Sequence, residues 1–466
     1  MKHIGTLRAM ALVSRYRKMP EEARQILQNK RLKELISYAR EHSPFYHDMY
    51  QALPPNTALA DLPSVDKKEL MQNFDQWITD PGVHIKDIHT FMENPDNIGR
   101  KFLQKYYVFT TSGSTGNPSL VLCDKTANSV MTAVNGLRSI ARKDVMQQMI
   151  RRGFKTAGVF ATGGFYLGNS SVRSRLLQMP WKKRQMMVTS ILNPISQIVK
   201  ELNDFQPAML GGYPTALELL MDEQKEGRLH IAPALIMAGG EYLSDALRKA
   251  LYQTFACAVQ ASYACTEGGT VACECREGHF HVNDDWIILE PVDANNQPVP
   301  DGTLSDKILL TNLSNFTQPF IRYEVTDRIR LFHTPCPCGN PSPWLQIEGR
   351  TDEILTFQGE KGPVRIAPLA LYALLKEVHE IRRFQLVGHE ENHLELRLIC
   401  EKGWDKQAVY EEAKSRLTAF LHKNGISAVS VALSSEEPQV HPGSGKFQHV
   451  FNAKKQAEEV IKPRYK

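Results

Sequence analysis

The sequence contains no apolar run long enough to span a membrane. No stretch approaches the roughly 18 consecutive apolar residues that such a helix requires. Near the N-terminus, Arg8 interrupts the apolar stretch and the largely basic residues 14–18 end it early, which is not the pattern of a signal peptide. We therefore interpret this region as an ordinary first segment and expect a cytoplasmic protein without a membrane partner.

The chain also lacks a strong excess of charge of either sign. Its formal net charge is +5 over 466 residues, and we find no concentrated basic stripe of the kind that binds nucleic acid. The small excess suits anionic ligands, although an ordinary protein surface explains it as well. Hydrophobic residues make up 42% and charged residues 23%, which is typical of a soluble globular protein. The length predicts two or three domains.

Cysteine is scarce, but its spacing is informative. Four of the eight cysteines form two close pairs, Cys273 with Cys275 and Cys336 with Cys338. In a large cytosolic chain such pairs favour metal binding over disulfides. Six residues are possible metal ligands: Cys273, Cys275, His279, His281, Cys336 and Cys338. We predict that Cys275, His281, Cys336 and Cys338 form a closed, tetrahedral zinc site of the structural kind. The alternative is two pairs of reduced, buried thiols.

Strand and helix patterns alternate through the middle of the chain. Apolar residues at helical spacing predict helices over residues 20–41 and 214–226. Short apolar runs predict strands at residues 106–110, 119–123 and 234–237. This alternation predicts an α/β fold built from layers of sheets and helices.

The pattern changes near residue 350. Strands are predicted at residues 384–387 and 394–399, then a helix at 405–423 and a strand at 429–433. These elements form a unit of domain size with its own α+β character. We therefore predict a large multi-layer N-terminal domain, residues 1–350, and a small α+β C-terminal domain, residues 351–466.

A loop of small polar residues lies between the first two predicted strands. It reads Thr110-Thr111-Ser112-Gly113-Ser114-Thr115-Gly116-Asn117-Pro118. Glycines let the backbone approach an anion closely, and backbone N–H groups with nearby hydroxyls can bind phosphate oxygens. The loop lacks the lysine and the following helix of a Walker motif. A flexible hairpin loop is the alternative, because these are also turn residues.

Further motifs give the chain a resemblance to a known superfamily. Six stretches occur in the expected order: residues 111–118, Gly239-Gly240-Glu241, Tyr263-Ala264-Cys265-Thr266-Glu267, Arg322-Tyr323-Glu324-Val325-Thr326-Asp327, Gly349-Arg350-Thr351-Asp352 and Gly443-Ser444-Gly445-Lys446. With them the chain resembles the adenylate-forming enzymes, which include acyl-CoA synthetases, adenylation domains of peptide synthetases, and luciferases. Residues 35–46, 62–67 and 207–214 and the Cys/His cluster look most like the phenylacetate–CoA ligase branch.

The resemblance implies a reaction in two steps. A carboxylic acid would attack the α-phosphate of ATP to form an acyl-adenylate and release pyrophosphate. The acyl group would then pass to the thiol of coenzyme A with release of AMP. The implied cofactors are ATP, Mg²⁺ and coenzyme A, with a structural Zn²⁺ at the Cys/His cluster, as in some relatives of this branch.

The resemblance also assigns roles to individual residues. Lys446 would bridge the carboxylate and the α-phosphate, Thr266 would contact that phosphate, and Glu267 would hold Mg²⁺. The implied ATP-binding residues are Thr111, Ser112, Gly113, Ser114, Thr115, Gly116, Gly240, Glu241, Tyr263, Asp327 and Arg350. Asp352 would be the hinge about which a mobile small domain rotates between the two steps. Ordinary surface ion pairs and core packing are the alternatives for these side chains.

The acyl pocket is predicted beside the nucleotide. Its candidate lining residues are Phe165, Tyr166, Tyr213 and Gly239, which could equally be core residues. The sequence shows no charged residue clearly placed to pair with a charged substrate, and this favours an aromatic or apolar acid.

Several alternatives stay open from the sequence. The adenylate could pass to an amine or to a carrier-protein thiol, or the chain could perform the related nucleotidyl transfer that forms coenzyme F390. A non-enzymatic, zinc-containing nucleotide-binding protein is a further reading. The expected partners are a small-molecule carboxylic acid, ATP and coenzyme A, with a carrier protein and a second copy of the chain, in a homodimer, as further candidates.

Overall fold

The structure is a computed structural model, and it describes residues 4–110, 119–240, 243, 245–348, 355–360, 362–366, 368–389, 392–439 and 449–453. The helices, in chain order, are α1 Thr6–Tyr16, α2 Glu21–His42, α3 Pro44–Tyr50, α4 Lys67–Gln72, α5 Phe74–Trp77, α6 Ile85–Glu93, α7 Lys125–Arg138, α8 Lys143–Arg151, α9 Leu167–Gln178, α10 Ile195–Phe205, α11 Pro214–Lys225, α12 Asp245–Phe255, α13 Pro368–Lys376 and α14 Lys406–Lys423. Short 3-10 helices span Leu59–Asp61, Pro95–Asn97 and Pro180–Arg184. Within the described residues, none of these helices is long and apolar enough to cross a membrane.

The strands complete the list of regular elements. They are β1 Lys101–Phe102, β2 Tyr106–Thr110, β3 Leu120–Cys123, β4 Thr156–Phe160, β5 Met186–Ser190, β6 Met209–Gly212, β7 Leu235–Gly239, β8 Ala258–Cys265, β9 Gly269–Glu274, β10 Phe280–Val282, β11 Ile287–Val292, β12 Lys307–Asn312, β13 Tyr323–Val325, β14 Arg328–Phe332, β15 Trp344–Glu348, β16 Leu355–Gly359, β17 Gly362–Ile366, β18 Ile381–Gly388, β19 His393–Cys400, β20 Ser430–Leu433 and β21 Val450–Asn452.

Local sequence explains where the second helix begins and ends. Pro20 is the N-cap of α2, just before the first helical residue, and Glu21 and Glu22 place negative charge at its positive end. The Ser43 side chain then accepts a hydrogen bond from the Tyr46 N–H and starts α3. The helix predicted at residues 20–41 is therefore confirmed. Pro20 was predicted to be its first residue and is instead the N-cap.

A buried hairpin carries the polar loop. β2 pairs with β3 in antiparallel fashion, with Thr110 opposite Leu120, and every residue of both strands is buried. The two strands predicted here are confirmed. The loop residues 111–118 themselves lie outside the described part of the chain.

The central sheet places the candidate site. Over the described residues its strands follow the order β14-β15-β10-β9-β8-β7-β6-β4-β5. Strands β4 to β8 are parallel, so their carboxyl ends lie at one edge of the sheet. Ligands of open α/β sheets bind at this edge, outside the carboxyl ends of the strands. The predicted α/β fold is confirmed.

A second small sheet joins the N-terminal segment to this edge. Strand β12 lies between β11 and β13, and Val65 bridges to Tyr323 in β13. The buried Arg322 guanidinium donates to the carbonyls of Ala60 and Leu62. These contacts fix the position of the chain from Tyr323 to Asp327 next to the central sheet.

The first helix is attached through a buried polar network. Arg138 in α7 donates to both carboxylate oxygens of Asp285, at 2.7 and 2.8 Å, and to the Val13 carbonyl of α1 at 3.2 Å. Beside it, the Tyr16 hydroxyl donates to Asp284 at 3.0 Å. The helix α1 is thus anchored by charge as well as by apolar packing.

The C-terminal part forms its own sheets. Strand β16 pairs with β17, and the remaining strands follow the order β20-β19-β18-β21. The strand and helix elements predicted over residues 384–433 are all present in this region. Among the described residues, no strand beyond Leu355 pairs with a strand before Glu348.

Candidate active site

A large cleft opens at the carboxyl ends of the central parallel strands. Its volume is about 2180 Å³, which exceeds the roughly 300–1,000 Å³ of a typical small-molecule pocket. The predicted residues Gly239, Gly240, Tyr263, Thr266, Glu267 and Asp327 all line it. Motifs that are up to 88 residues apart in sequence therefore meet at one site.

Glu267 is a buried carboxylate within this cleft. Its side chain accepts a hydrogen bond from the Tyr323 hydroxyl at 3.0 Å, and its backbone carbonyl accepts one from Asn312 at 2.8 Å. Burial raises the pKa of Glu267, while hydrogen bonding and the charge of Lys67 act in the opposite direction. A buried negative charge is costly unless a cation or donors lie beside it. Glu267 therefore fits the carboxylate ligand of a cation such as Mg²⁺.

Tyr263 and Asp327 contact each other directly. The Tyr263 hydroxyl donates to Asp327 Oδ2 at 2.8 Å. Tyr263 lies on β8, and Asp327 immediately precedes β14, so the contact spans the edge of the central sheet. An aromatic face and a carboxylate at adjacent positions suit the base and the ribose of a nucleoside, respectively.

Aromatic side chains shape the neighbouring part of the cleft. Tyr166 and Tyr213 both line it, and the Phe160 and Tyr213 rings meet edge to face, 5.5 Å apart. Gly240 has a φ of +82°, and a Cβ there would lie 2.9 Å from the Tyr213 ring. Only glycine therefore fits this backbone without strain. Burial raises the pKa of Tyr166 to about 12, with a smaller contribution from Glu377.

Phe165 occupies a different place from the other predicted pocket residues. Its side chain is 3% exposed, and its ring lies 6.0 Å from that of Phe91 in the apolar core. It is not among the residues that line the cleft. Phe165 thus supports the wall from behind and does not face a ligand.

Several predicted site residues lie outside the described part of the chain. They are Thr111, Ser112, Gly113, Ser114, Thr115, Gly116, Glu241, Arg350, Asp352 and Lys446. Their roles remain predictions from the sequence.

The predicted zinc ligands are close together. Their four ligand atoms, from Cys275, His281, Cys336 and Cys338, lie within 4.8 Å of one another. Cys275 Sγ is 3.9 Å from Cys336 Sγ, and Cys338 Sγ is 3.3 Å from His281 Nε2. With Zn–S bonds of about 2.3 Å, the ligand atoms of a tetrahedral site are about 3.8 Å apart.

The surroundings of this cluster also suit a metal. His281 Nδ1 lies 2.8 Å from the Ser342 carbonyl, which fixes the ring with Nε2 toward the cysteines. Burial raises the pKa of Cys275 and raises that of Cys338 to about 12. A thiol with a raised pKa ionises only when a cation stabilises the thiolate, and a bound zinc ion would provide that charge. The residues therefore fit Zn²⁺.

Two residues of the cleft were missing from the predicted site. Lys67 lines the cleft, and its positive charge acts on Glu267. Tyr323 holds the Glu267 carboxylate. Both lie in stretches that carried the family resemblance, residues 62–67 and 322–327, so the signal was present without an assigned role.

Comparison with known proteins identifies the family. Residues 11–302 match the AMP-binding enzyme family, which is more than half of the chain, and the protein belongs to that family. It is 26% identical over 401 residues to phenylacetate-coenzyme A ligase of Thermus thermophilus, covering 81% of each chain. It is 24% identical over 404 residues to Protein CapK of Staphylococcus aureus, covering 84% of this chain and 82% of that one. The predicted superfamily and branch are confirmed.

A solved structure shares the fold. A 2-hydroxyisobutyryl-CoA ligase, crystallised with 2-HIB-AMP and CoA in the thioesterification state, superposes with a TM-score of 0.58. The two chains are 18% identical, and the match covers 96% of this chain and 94% of the other. The same enzyme in its postadenylation state gives a TM-score of 0.55. At this level of sequence identity, the comparison shows that the two proteins share a fold.

Proposed function

We propose that the protein is an ATP-dependent acid–CoA ligase that forms AMP. In the first step a carboxylate oxygen bonds to the α-phosphorus of ATP, and the bond to pyrophosphate breaks. In the second step the sulfur of coenzyme A bonds to the acyl carbon, the thiol proton is lost, and AMP leaves. The observation that carries the proposal is the convergence of Tyr263, Glu267 and Asp327 in one cleft of an AMP-binding enzyme.

The contacts of these residues support a division of roles. Tyr263 would lie against adenine and Asp327 would accept hydrogen bonds from the ribose, while Thr266 would contact the α-phosphate. Glu267 would hold Mg²⁺, which supplies charge neutralisation of the phosphates when bound. The loop at residues 111–116, Gly240, Glu241 and Arg350 would complete the nucleotide site. The role of this chain is mainly to position two anions against each other.

Lys446 is proposed as the catalytic cation of the first step. A lysine that follows Gly443 and Gly445 can enter and leave a site with little steric hindrance. Asp352 is the proposed hinge between a domain of residues 1–350 and a domain of residues 351–466. The separation of strand pairing on either side of residues 349–354 is consistent with this division.

Coenzyme A is the proposed acceptor of the acyl group. The relatives support it, since one is named as a coenzyme A ligase and the fold neighbour was crystallised with CoA. An amine or a carrier-protein thiol is the alternative acceptor. The proposed Zn²⁺ in the Cys/His cluster is structural, because four protein ligands leave no open position for a substrate.

An acid-dependent pyrophosphate exchange assay tests the first step. We expect exchange with at least one acid from a panel of aromatic, aliphatic and amino acids, followed by AMP release that depends on coenzyme A. Lys446→Ala should abolish exchange while ATP binding persists. The exposed lysine Lys402 is a matched control, and Lys402→Ala should retain exchange. Normal exchange in Lys446→Ala would reject its proposed role, and AMP release that needs an amine instead would reject coenzyme A.

A further inference from the structure

The helix α9 presents one continuous stripe of side chains to the cleft. Because α9 connects the parallel strands β4 and β5, it runs from the carboxyl-end edge of the sheet toward the opposite edge. The residues of α9 that line the cleft include Gly168, Ser171, Arg175 and Gln178, and Lys182 in the 3-10 helix that follows also lines it. Their spacing of three or four residues matches one helix face. The side chains on this face are small near the active site and positively charged at the far end.

The opposite wall of the cleft is an apolar face of the central sheet. Gly158 pairs with Gly211, which pairs with Met237 on the next strand. The row beyond it, further from the active site, contains Met186 and Met209 on either side of Thr156. All of these residues line the cleft. Glycines and methionines make this wall apolar. The Phe160 ring lies directly over Gly158 and next to Gly211, so this ring and the methionine side chains form the surface that faces the cleft.

Two cations, Arg175 and Lys182, lie at the far end of the cleft. Arg175 and Lys182 are half-buried, and neither side chain makes an ion pair or hydrogen bond with any residue that the structure describes. Residues 145–200 contain nine Lys and Arg and not a single Asp or Glu. A charge taken partly out of water is stabilised by an anion beside it. The described part of the chain places no carboxylate next to these two cations, so a ligand anion can occupy this position.

We propose that the activated acid carries a second anionic group, which binds Arg175 and Lys182 at the far end of the cleft. This inference rests on the proposed function and names its substrate class. The helix rises roughly 10 Å between Gly168 and Arg175, so an apolar spacer of about that length separates the two anionic groups. Such an acid places its reactive carboxylate beside Tyr213 and Gly239, its spacer on the methionine wall and its distal anion on the two cations.

This substrate class differs from the aromatic or apolar acid that the sequence favoured. A compact aryl acid would fill only the part of the cleft near Phe160 and Tyr213. An uncharged tail would end against Arg175 and Lys182 and would strip water from them without replacing its hydrogen bonds. A carboxylate, sulfonate or phosphate there instead accepts charge-assisted hydrogen bonds from the guanidinium.

The test compares dicarboxylic acids with monocarboxylic acids of matched chain length in the pyrophosphate exchange assay. We expect the dicarboxylates to have the lower KM. In Arg175→Met and Lys182→Met their KM should rise roughly 10- to 100-fold, while the KM of the monocarboxylates changes by less than about threefold. Lys183 is exposed and does not line the cleft, so Lys183→Met is the matched control and should behave as the wild type.

A charge reversal guards against simple loss of structure. Arg175→Glu should gain exchange activity on acids with a distal amino group, which a misfolded variant cannot do. Equal KM values for both acid series in the wild type would overturn the proposal and leave the ligase function intact. The KM of coenzyme A is measured in the complete reaction by AMP release. An effect of the variants confined to that KM would assign the cations to the phosphates of coenzyme A and would also overturn the proposal. Absence of exchange with every acid would reject the ligase function as well.

Discussion

Arg138 and Asp285 form an ion pair beneath α1 in which the two side chains are only 2% and 0% exposed. A buried pair of this kind is held by its mutual charge, because neither partner can reach water. The variant Asp285→Ala would leave the Arg138 guanidinium buried without its counter-charge. We expect it to lower the free energy of unfolding by about 3–5 kcal/mol.

Urea unfolding followed by circular dichroism measures this loss. The exposed Asp306 offers a matched control, and Asp306→Ala should change the free energy of unfolding by less than about 0.5 kcal/mol. A similar small change in Asp285→Ala would show that the pair does not anchor the helix.

Asp284 should make stability depend on pH. Burial raises its pKa, and the neighbouring Asp285 adds to this effect, while Ser342, Tyr16 and Arg24 oppose it. In the unfolded chain the group titrates near pH 3.9. As pH rises through the window above that value, the unfolded chain loses the proton first, so the stability that Asp284 contributes falls.

The variant Asp284→Asn isolates this contribution. We subtract the free energy of unfolding of the variant from that of the wild type. This difference should decrease as pH rises from about 4 and should level off above the raised pKa of Asp284. Urea unfolding of both proteins across this range measures it. A difference that increases with pH would mean that the pKa is lowered in the folded protein.

At the residue scale, motif order predicted much of the site. Tyr263, Thr266, Glu267 and Asp327 were identified from the sequence, and the structure brings them to one cleft. Lys67 was not identified from the sequence, because it interacts with Glu267, which is 200 positions further along the chain. Arg175 and Lys182 were missed because their placement depends on the direction of a helix across a sheet.

At the scale of elements, the Cys/His cluster ties together two segments of the central sheet region. The hairpin of β9 and β10 provides Cys275 and His281, and the turn between β14 and β15 provides Cys336 and Cys338. A metal bound here would hold β10 against β15. Loss of one ligand should therefore remove both the metal and part of the stability.

We expect the purified protein to contain one zinc ion, which Cys336→Ser loses. Elemental analysis measures the metal, and thermal unfolding should show a lower midpoint for the variant. Cys400 lies outside the cluster, so Cys400→Ser should keep its zinc. Full zinc content in Cys336→Ser would reject the proposed ligand set.

Local patterns predicted single elements better than their arrangement. The helices α2, α11 and α14 and the strands β2, β18 and β19 follow from the spacing of apolar residues. The order of the strands in the sheet does not follow from such local patterns. Strand β4 lies between β5 and β6, and nothing in the sequences of these three strands indicates which of them are neighbours. Pairing over such separations depends on how helices cover both faces of the sheet.

At the scale of the whole molecule, the C-terminal part touches the loop that precedes α9, next to Tyr166. A Cβ on Gly163 would lie 3.0 Å from the Glu377 carboxylate. The negative charge of Glu377 also contributes to the raised pKa of Tyr166. If the small domain rotates between the two chemical steps, this contact must break in every cycle.

A cross-link between these positions tests the rotation. The double variant Gly163→Cys/Glu377→Cys, joined by a short bismaleimide, should retain at most one half-reaction and lose sustained turnover. The same variant without the reagent, and each single variant with it, serve as controls. Undiminished turnover in the cross-linked protein would contradict domain rotation.

The separation of strand pairing on either side of residues 349–354 has an evolutionary consequence. A recombination event in this interval would interrupt none of the described β-ladders on either side. In the proposed function, the larger part recognises the acid, and the smaller part carries Lys446, the proposed catalytic lysine. Relatives could therefore exchange their C-terminal portions and keep their substrate preferences, so acid specificity and catalytic tuning can evolve along separate lines.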